Sequence, residues 1–245
     1  MRRVVRLTGK DCLTFLQGLV SNDVLPLAKG QGAVWTALLS PQGKYLADFF
    51  VVSTGPDLLV DLPEALAEPT LQRLSMYRLR ADVTITPTDL TVTRGLGTPP
   101  PGALPDPRHP DLGWRLYGDA GPEAAVDWDA IRVRHLIPES GIELIPGESY
   151  LLETGFDRLH GVDFRKGCYV GQEVTARMRH KTEMRKGLVR VRLSVPVPPG
   201  TPLMQGAREA GAVYTQSGGQ AIAWARFDRL DGVLVAGAAR VTRAE

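Results

Sequence analysis

The residues most able to do chemistry lie in one stretch, Gly161-Val-Asp163-Phe-Arg165-Lys166-Gly167-Cys168-Tyr169-Val-Gly171-Gln172-Glu173-Val-Thr-Ala-Arg177. Cys168 sits between Gly167 and Gly171, which lack a Cβ and so permit sharp turns and close approach of a partner. Arg165 and Lys166 are its immediate cationic neighbours. A helix opening at Gly171-Gln172-Glu173 would add a partial positive end, and both effects favour a thiolate. The chemistry in question is that of a nucleophilic, redox or metal-contacting thiol. Spacing alone weighs the other way, because most lone cysteines are structural and a small buried hydrophobe in a tight turn fits the same pattern. Cys12, on the apolar face of a helical pattern, reads as core.

Two further features carry polar chemistry. In Arg132-Val-Arg134-His135-Leu-Ile-Pro138-Glu139-Ser-Gly141, the carboxylate of Glu139 follows a proline. There it can turn inward and accept the paired N–H donors of a pterin or guanine-like edge. The plainer reading is an exposed loop glutamate. From Arg165 to Arg192 there are nine cations against Glu173 and Glu183, while the whole chain has 29 Lys+Arg against 27 Asp+Glu. Such a cluster suits a polyanion, an RNA backbone or an anionic tail, or it is a solvated surface. Tyr169 is the only aromatic residue in it, so stacking on single-stranded nucleic acid is not indicated.

Composition removes other classes. A chain of 245 residues that is 43% hydrophobic and 23% charged is an ordinary globular sequence, neither disordered nor fibrous. Two cysteines exclude a disulfide framework and any four-thiolate cage within one chain. The scans for a phosphate loop, HExxH and GxSxG are negative, and Gly95-Leu-Gly97 fails the dinucleotide pattern at its third glycine. The basic start lacks the apolar stretch of a signal peptide, and no run approaches the roughly 18 apolar residues of a membrane span. The expectation is a soluble protein of a reducing compartment, a bacterial cytoplasm, with no membrane contact.

These residues must be positioned by mixed elements. A helix is expected over 8–20, strands over 33–39 and 45–52 about the turn Ser40-Pro41-Gln42-Gly43, and a strand over 58–61. A helix from Pro69 to Arg78 and strands over 82–86 and 90–93 follow. The proline-rich stretch from Pro99 to Pro110 reads as a loop or boundary. A helix from Pro122 or Glu123 to Leu136 stops before Pro138. Runs over 188–195, 211–215, 221–227 and 232–241, split by turn residues, suggest a small antiparallel barrel. The fold class is α+β, with residues 1–183 as one region and 184–245 as a carboxy-terminal β-barrel.

Lys166-Gly167-Cys168-Tyr169-Val-Gly171-Gln172-Glu173, followed by Thr175-Ala-Arg177, resembles the KGCYxGQE signature of the YgfZ-type folate-binding proteins. The resemblance extends to Leu16-Gln-Gly-Leu-Val-Ser-Asn22-Asp23, Ala37-Leu-Leu-Ser-Pro-Gln-Gly43-Lys44, Ile137-Pro-Glu139 and Leu152-Glu153. It is closer to the mitochondrial and alphaproteobacterial branch than to the enterobacterial one. It implies the fold of the glycine-cleavage T protein, an aminomethyltransferase, and a tetrahydrofolate-binding factor that assists assembly or repair of 4Fe–4S clusters in client enzymes. Cys168 is then the functional thiol, and Glu139, Asp48, Asn22, Asp23 and Arg177 are the implied folate contacts. Implied partners are reduced folate, iron–sulfur assembly proteins and their clients, with no permanently bound metal and no ordinary turnover. The alternatives are a folate-dependent one-carbon transferase and a direct tRNA-binding modification factor. The first is disfavoured because Gly43-Lys44-Tyr-Leu-Ala-Asp48 holds one acid where the T protein has an acidic pair. The second is disfavoured because a failing iron–sulfur methylthiolation enzyme explains a tRNA effect indirectly.

Overall fold

Side-chain alternation builds an antiparallel sheet from the first third of the chain. The computed structural model describes residues 1–121, 125–181 and 183–244. The strands are β1 (Arg2–Thr8), β2 (Gly32–Leu39), β3 (Tyr45–Ser53), β4 (Leu58–Pro63) and β5 (Thr84–Pro87), in the order β2-β3-β4-β1-β5. Successive strand residues point to opposite faces. One set, Val5, Leu7, Leu38, Phe49, Val51, Val60 and Leu62, packs with Leu16, Val20 and Leu74 into the apolar core. The alternate set includes Trp35, Asp48, Phe50 and Asp61, all buried.

Two helices lie in that apolar core. Helix α1 (Cys12–Gln17) is shorter than the expected 8–20. Thr8 belongs to β1, and the Asp11 carboxylate accepts the Asp82 N–H at 2.8 Å and does not cap the helix. Helix α2 (Glu64–Arg78) starts before Pro69, which stands inside it. As the sixth residue of α2, Pro69 lies past the first turn and costs the helix the bond that an N–H there would make to the Ala65 carbonyl.

Strands β6 (Thr91–Gly95), β7 (Leu104–Pro105) and β8 (Trp114–Gly118) form a second sheet in the order β6-β8-β7. Arg115 of β8 is ion-paired to Asp61 and, at 3.4 Å, to Asp106. Arg2 donates to Asp61 at 2.6 Å, Arg108 to Asp106 at 2.8 Å, and the Tyr117 hydroxyl to Asp61 at 3.0 Å. The Arg115 guanidinium stands 3.9 Å from the Phe50 ring centroid.

Helix α3 (Trp128–His135) is capped by Asp127, whose carboxylate accepts the Ala130 N–H at 2.8 Å. The expected start at Pro122 or Glu123 lies outside the described residues. Helix α4 (Gln172–Lys181) opens at the expected residue.

Strands β9 (Lys186–Leu193), β10 (Thr201–Gln205), β11 (Arg208–Ser217), β12 (Gln220–Arg226), β13 (Leu234–Ala236) and β14 (Ala239–Arg243) close into a barrel ordered β10-β11-β12-β9-β14-β13. Val189, Val191, Leu203, Val213, Ala223 and Val241 fill it. The expected 232–241 run is a hairpin that turns at Gly237 (φ 54°). The mixed elements and the closed antiparallel barrel make the fold α+β.

The chain divides into two compact units, Met1–Val126 with Asp157–Val174, and Asp127–Phe156 with Thr175–Glu245. Among the described residues, no helix is long and apolar enough to cross a membrane.

Candidate functional site

The Cys168 segment is built into the first unit by the turn that follows α1. Ser21 Oγ donates to the Gly161 carbonyl at 2.7 Å, and the Asp163 N–H donates to the Ser21 carbonyl at 3.1 Å. Asn22 Nδ2 donates to the carbonyls of Trp35 at 2.9 Å and His160 at 2.6 Å, so both its amide donors are engaged. Asp23 Oδ1 accepts from Gln17 Nε2 at 2.9 Å and from the Leu25 N–H at 3.1 Å.

Asp163 then turns the chain, its carboxylate accepting the N–H groups of Arg165 at 2.6 Å and Lys166 at 3.3 Å. The Lys166 side chain is buried and donates to the carbonyls of Gln17 (2.9 Å), Val20 and Asn22 (2.9 Å). Burial pushes its ammonium down to about 8, against the opposing pull of Asp23 and Asp163. This corrects its expected role as a cation beside the thiol, because its three donors are spent on the turn after α1. Tyr169 is buried, with its ring centroid 5.0 Å from Lys166 Nζ.

On the other side of Cys168, Gly171 has φ 80°, and a Cβ there would stand 2.5 Å from the Ser40 carbonyl oxygen. Gly43, with φ 75°, would place its Cβ 2.7 Å from Val174 Cβ. Two motifs separated in sequence, Ser40–Lys44 and the signature, are therefore in backbone contact. Gln172 and Glu173 form the first turn of α4, where an acid complements the helix dipole.

Cys168 itself is exposed, as are Arg165 and Gly167. The alternative of a buried hydrophobe in a tight turn is thereby overturned. Cys12 is buried, and burial raises its thiol above the ordinary value. One accessible thiol remains among the two.

Asp48 lies on β3 of the same unit, accepting from Trp35 Nε1 at 2.8 Å and the Tyr45 hydroxyl at 2.7 Å. Glu139 and Arg177 belong to the second unit. The Glu139 side chain is 37% exposed, with Oε2 3.7 Å from Arg132 Nε. Its main-chain N–H donates to Glu143 at 2.9 Å.

The sequence reading passed over Glu143. Its carboxylate is buried and also accepts from Arg132, from the Thr215 N–H at 3.1 Å and from the Thr215 hydroxyl at 2.6 Å. The available signal was an acid on a turn eleven residues after an arginine of a predicted helix. Arg177, on α4, is exposed.

The human protein named iron-sulfur cluster assembly factor IBA57, mitochondrial, is 31% identical over 254 residues, covering 89% of this chain and 70% of that protein. The chain belongs to the IBA57 family. The broader YgfZ-type expectation narrows to this branch. The mouse protein of the same name is 31% identical over 236 residues, covering 80% of this chain and 66% of its own length. An IBA57 homolog of Mycosarcoma maydis is 33% identical over 219 residues, 77% of this chain. The chain spans 54% of that relative's length.

The profile of the CAF17 C-terminal β-barrel domain matches residues 185–244. The crystal structure of glycine cleavage system aminomethyltransferase T from Bartonella henselae superposes with a TM-score of 0.77 at 11% identity. It covers 100% of this chain and 83% of that one, which establishes the expected T-protein-like fold. The expectation of a bacterial cytoplasmic location is overturned, since these IBA57 relatives are named as mitochondrial proteins.

Proposed function

We propose that this IBA57-family chain is a tetrahydrofolate-binding factor that assists assembly or repair of 4Fe–4S clusters in client enzymes, with Cys168 as its functional thiol. The observation that carries the reading is the exposure of Cys168 at the centre of the signature, between two segments packed into the first unit. Family membership supports the iron–sulfur part. A 4Fe–4S cluster is commonly held by four protein thiolates, and this chain has two cysteines, one of them buried. Any cluster it handles is therefore shared with a partner's ligands or with small thiols, and is cargo.

The folate part rests on the signature's resemblance and on a polar group that fits. The half-exposed Glu139 carboxylate can accept the adjacent N–H donors of a pterin. Asp48 and Asn22, on the first unit, have polar atoms already engaged with neighbouring protein groups.

The test is Cys168→Ala in a strain lacking its own copy of the protein, paired with calorimetric titration of reduced folate. The variant is expected to keep folate binding and to fail to restore the activity of 4Fe–4S enzymes. Full restoration removes the thiol role, and absence of a folate titration signal removes the cofactor. Steady turnover of methylene-tetrahydrofolate with a small amine would replace the reading with that of a transferase.

A further inference from the structure

Lys166 has surroundings that the reading above does not use. The carbonyls of Gln17, Val20 and Asn22 belong to the end of α1 and the turn beyond it, where a helix leaves its last carbonyls without intrahelical partners. An ammonium has three N–H donors and no acceptor. Here each carbonyl takes one, and bonds from a charged donor are the stronger kind. Asp23 and Asp163 are the charges that face it, and the Tyr169 ring stands at 5.0 Å. Among the described residues it makes no ion pair, so hydrogen bonds to main chain hold it in place.

The position along the chain gives this geometry its consequence. Two residues after Lys166 comes the exposed thiol, and three residues later Gly171 is lodged against the Ser40 carbonyl. Residues 167–170 therefore arch between two fixed points. At the first fixed point the Lys166 side chain adds to the bonds that Ser21 and Asn22 make with residues 160–163, and the second needs the absence of a side chain.

We propose that Lys166 is a positioning residue: by binding the carbonyls of Gln17, Val20 and Asn22, it fastens the signature segment to the turn after α1 and sets where Cys168 is presented. Its importance for function rests on the reading of Cys168 as the functional thiol, whereas the fastening does not. Lys166 acts on Cys168 through the backbone and not through its charge.

The test compares the full-length wild type with Lys166→Met, Lys166→Gln, Lys166→Arg and Cys168→Ala. Peptide-resolved amide exchange is read alongside the pH midpoint of Cys168 alkylation. Lys166→Met is expected to speed exchange about tenfold or more across 163–170 and 18–24, leaving the barrel strands unchanged. The alkylation midpoint is expected to stay at the wild-type pH, and Lys166→Arg, which keeps charge and donors, to restore part of the protection.

Exchange within about twofold of wild type in both segments overturns the proposal. So does a shift of the midpoint with unchanged exchange, which marks an electrostatic role. Should Lys166→Met lose barrel protection, Lys166→Gln, with two neutral donors, is read by the same two criteria.

Restoration of 4Fe–4S enzyme activity separates the two claims. A Cys168→Ala protein that restores activity sinks the thiol reading while accelerated exchange in Lys166→Met keeps the fastening. An inactive Cys168→Ala with wild-type exchange in Lys166→Met does the reverse.

Discussion

Two buried cations of the first unit are stabilised in opposite ways. Arg115 is matched by carboxylates, with Asp61 and Asp106 against its guanidinium and Tyr117 beside it. Burial alone would lower its pKa, but Tyr117, Asp61 and Asp106 outweigh burial and raise it. Lys166 is matched by carbonyls, and there burial outweighs the carboxylates, lowering it to about 8. A charge paired with charge is fixed at every working pH and serves the fold. Lys166, buried among main-chain carbonyls, has its pKa brought down to about 8 by that burial. It also ties together residues 144 to 149 positions apart, so it can hold a segment without ion-pairing to it.

The largest expected break in this comparison is Arg115→Met. It leaves the Asp61 carboxylate, with 0% side-chain exposure, short of one of its two arginine partners, and removing one member of a buried pair costs about 3–5 kcal/mol. Urea unfolding should show that loss, and a change below about 1 kcal/mol would mean that Arg2 alone suffices.

Gly171→Ala comes next. The new methyl meets the Ser40 oxygen at 2.5 Å with φ at 80°, a strain of about 1–3 kcal/mol, accompanied by faster exchange in the Ser40–Lys44 turn.

Acid titration tests the carboxylate side. Burial would raise Asp106, but Arg108 and Arg115 hold it at about 2, below the ordinary 3.8. Its contribution, on the order of 2 kcal/mol, is complete above its unfolded value and declines as pH falls towards 2. Asp106→Asn should flatten stability in that window and leave the rest of the profile alone.

The last prediction concerns Lys166. Its folded value of about 8 lies below the ordinary 10.5, so between the two the unfolded chain binds more protons and stability rises with pH. Unfolding midpoints measured below and above that window should differ in wild type and converge in Lys166→Met.

The same contrast explains what could be read from the sequence. The β2–β3 hairpin, the α4 start and most barrel strands carry local signals: alternation, a Pro-Gln-Gly turn and glycine punctuation. Cys168 stands out as a candidate because its neighbours in sequence are distinctive. Strand β1 went unread because Arg2, Arg3 and Arg6 interrupt its pattern, and their partners Asp61, Glu64 and Asp57 are more than fifty positions away. Pro202 stands near the start of β10 and disguised it. The direction of Lys166 was misread for the same reason as β1: proximity in sequence suggested the thiol, whereas its bonds run to residues 17–22. Exposure of Cys168 was equally beyond local pattern, since it depends on what those distant anchors do to the backbone.

The interleaving of the compact units has a consequence for synthesis. The first unit is complete once Val174 has emerged, but Asp127–Phe156 belongs with strands made later. Glu143 must wait for Thr215, 72 residues on, which at a ribosomal rate of ~5–20 residues per second is roughly 4–14 s. Throughout that delay its carboxylate lacks two of the donors that its burial requires. A chain that stalls before β11 has a finished first unit and a Glu143 carboxylate still without its two Thr215 donors.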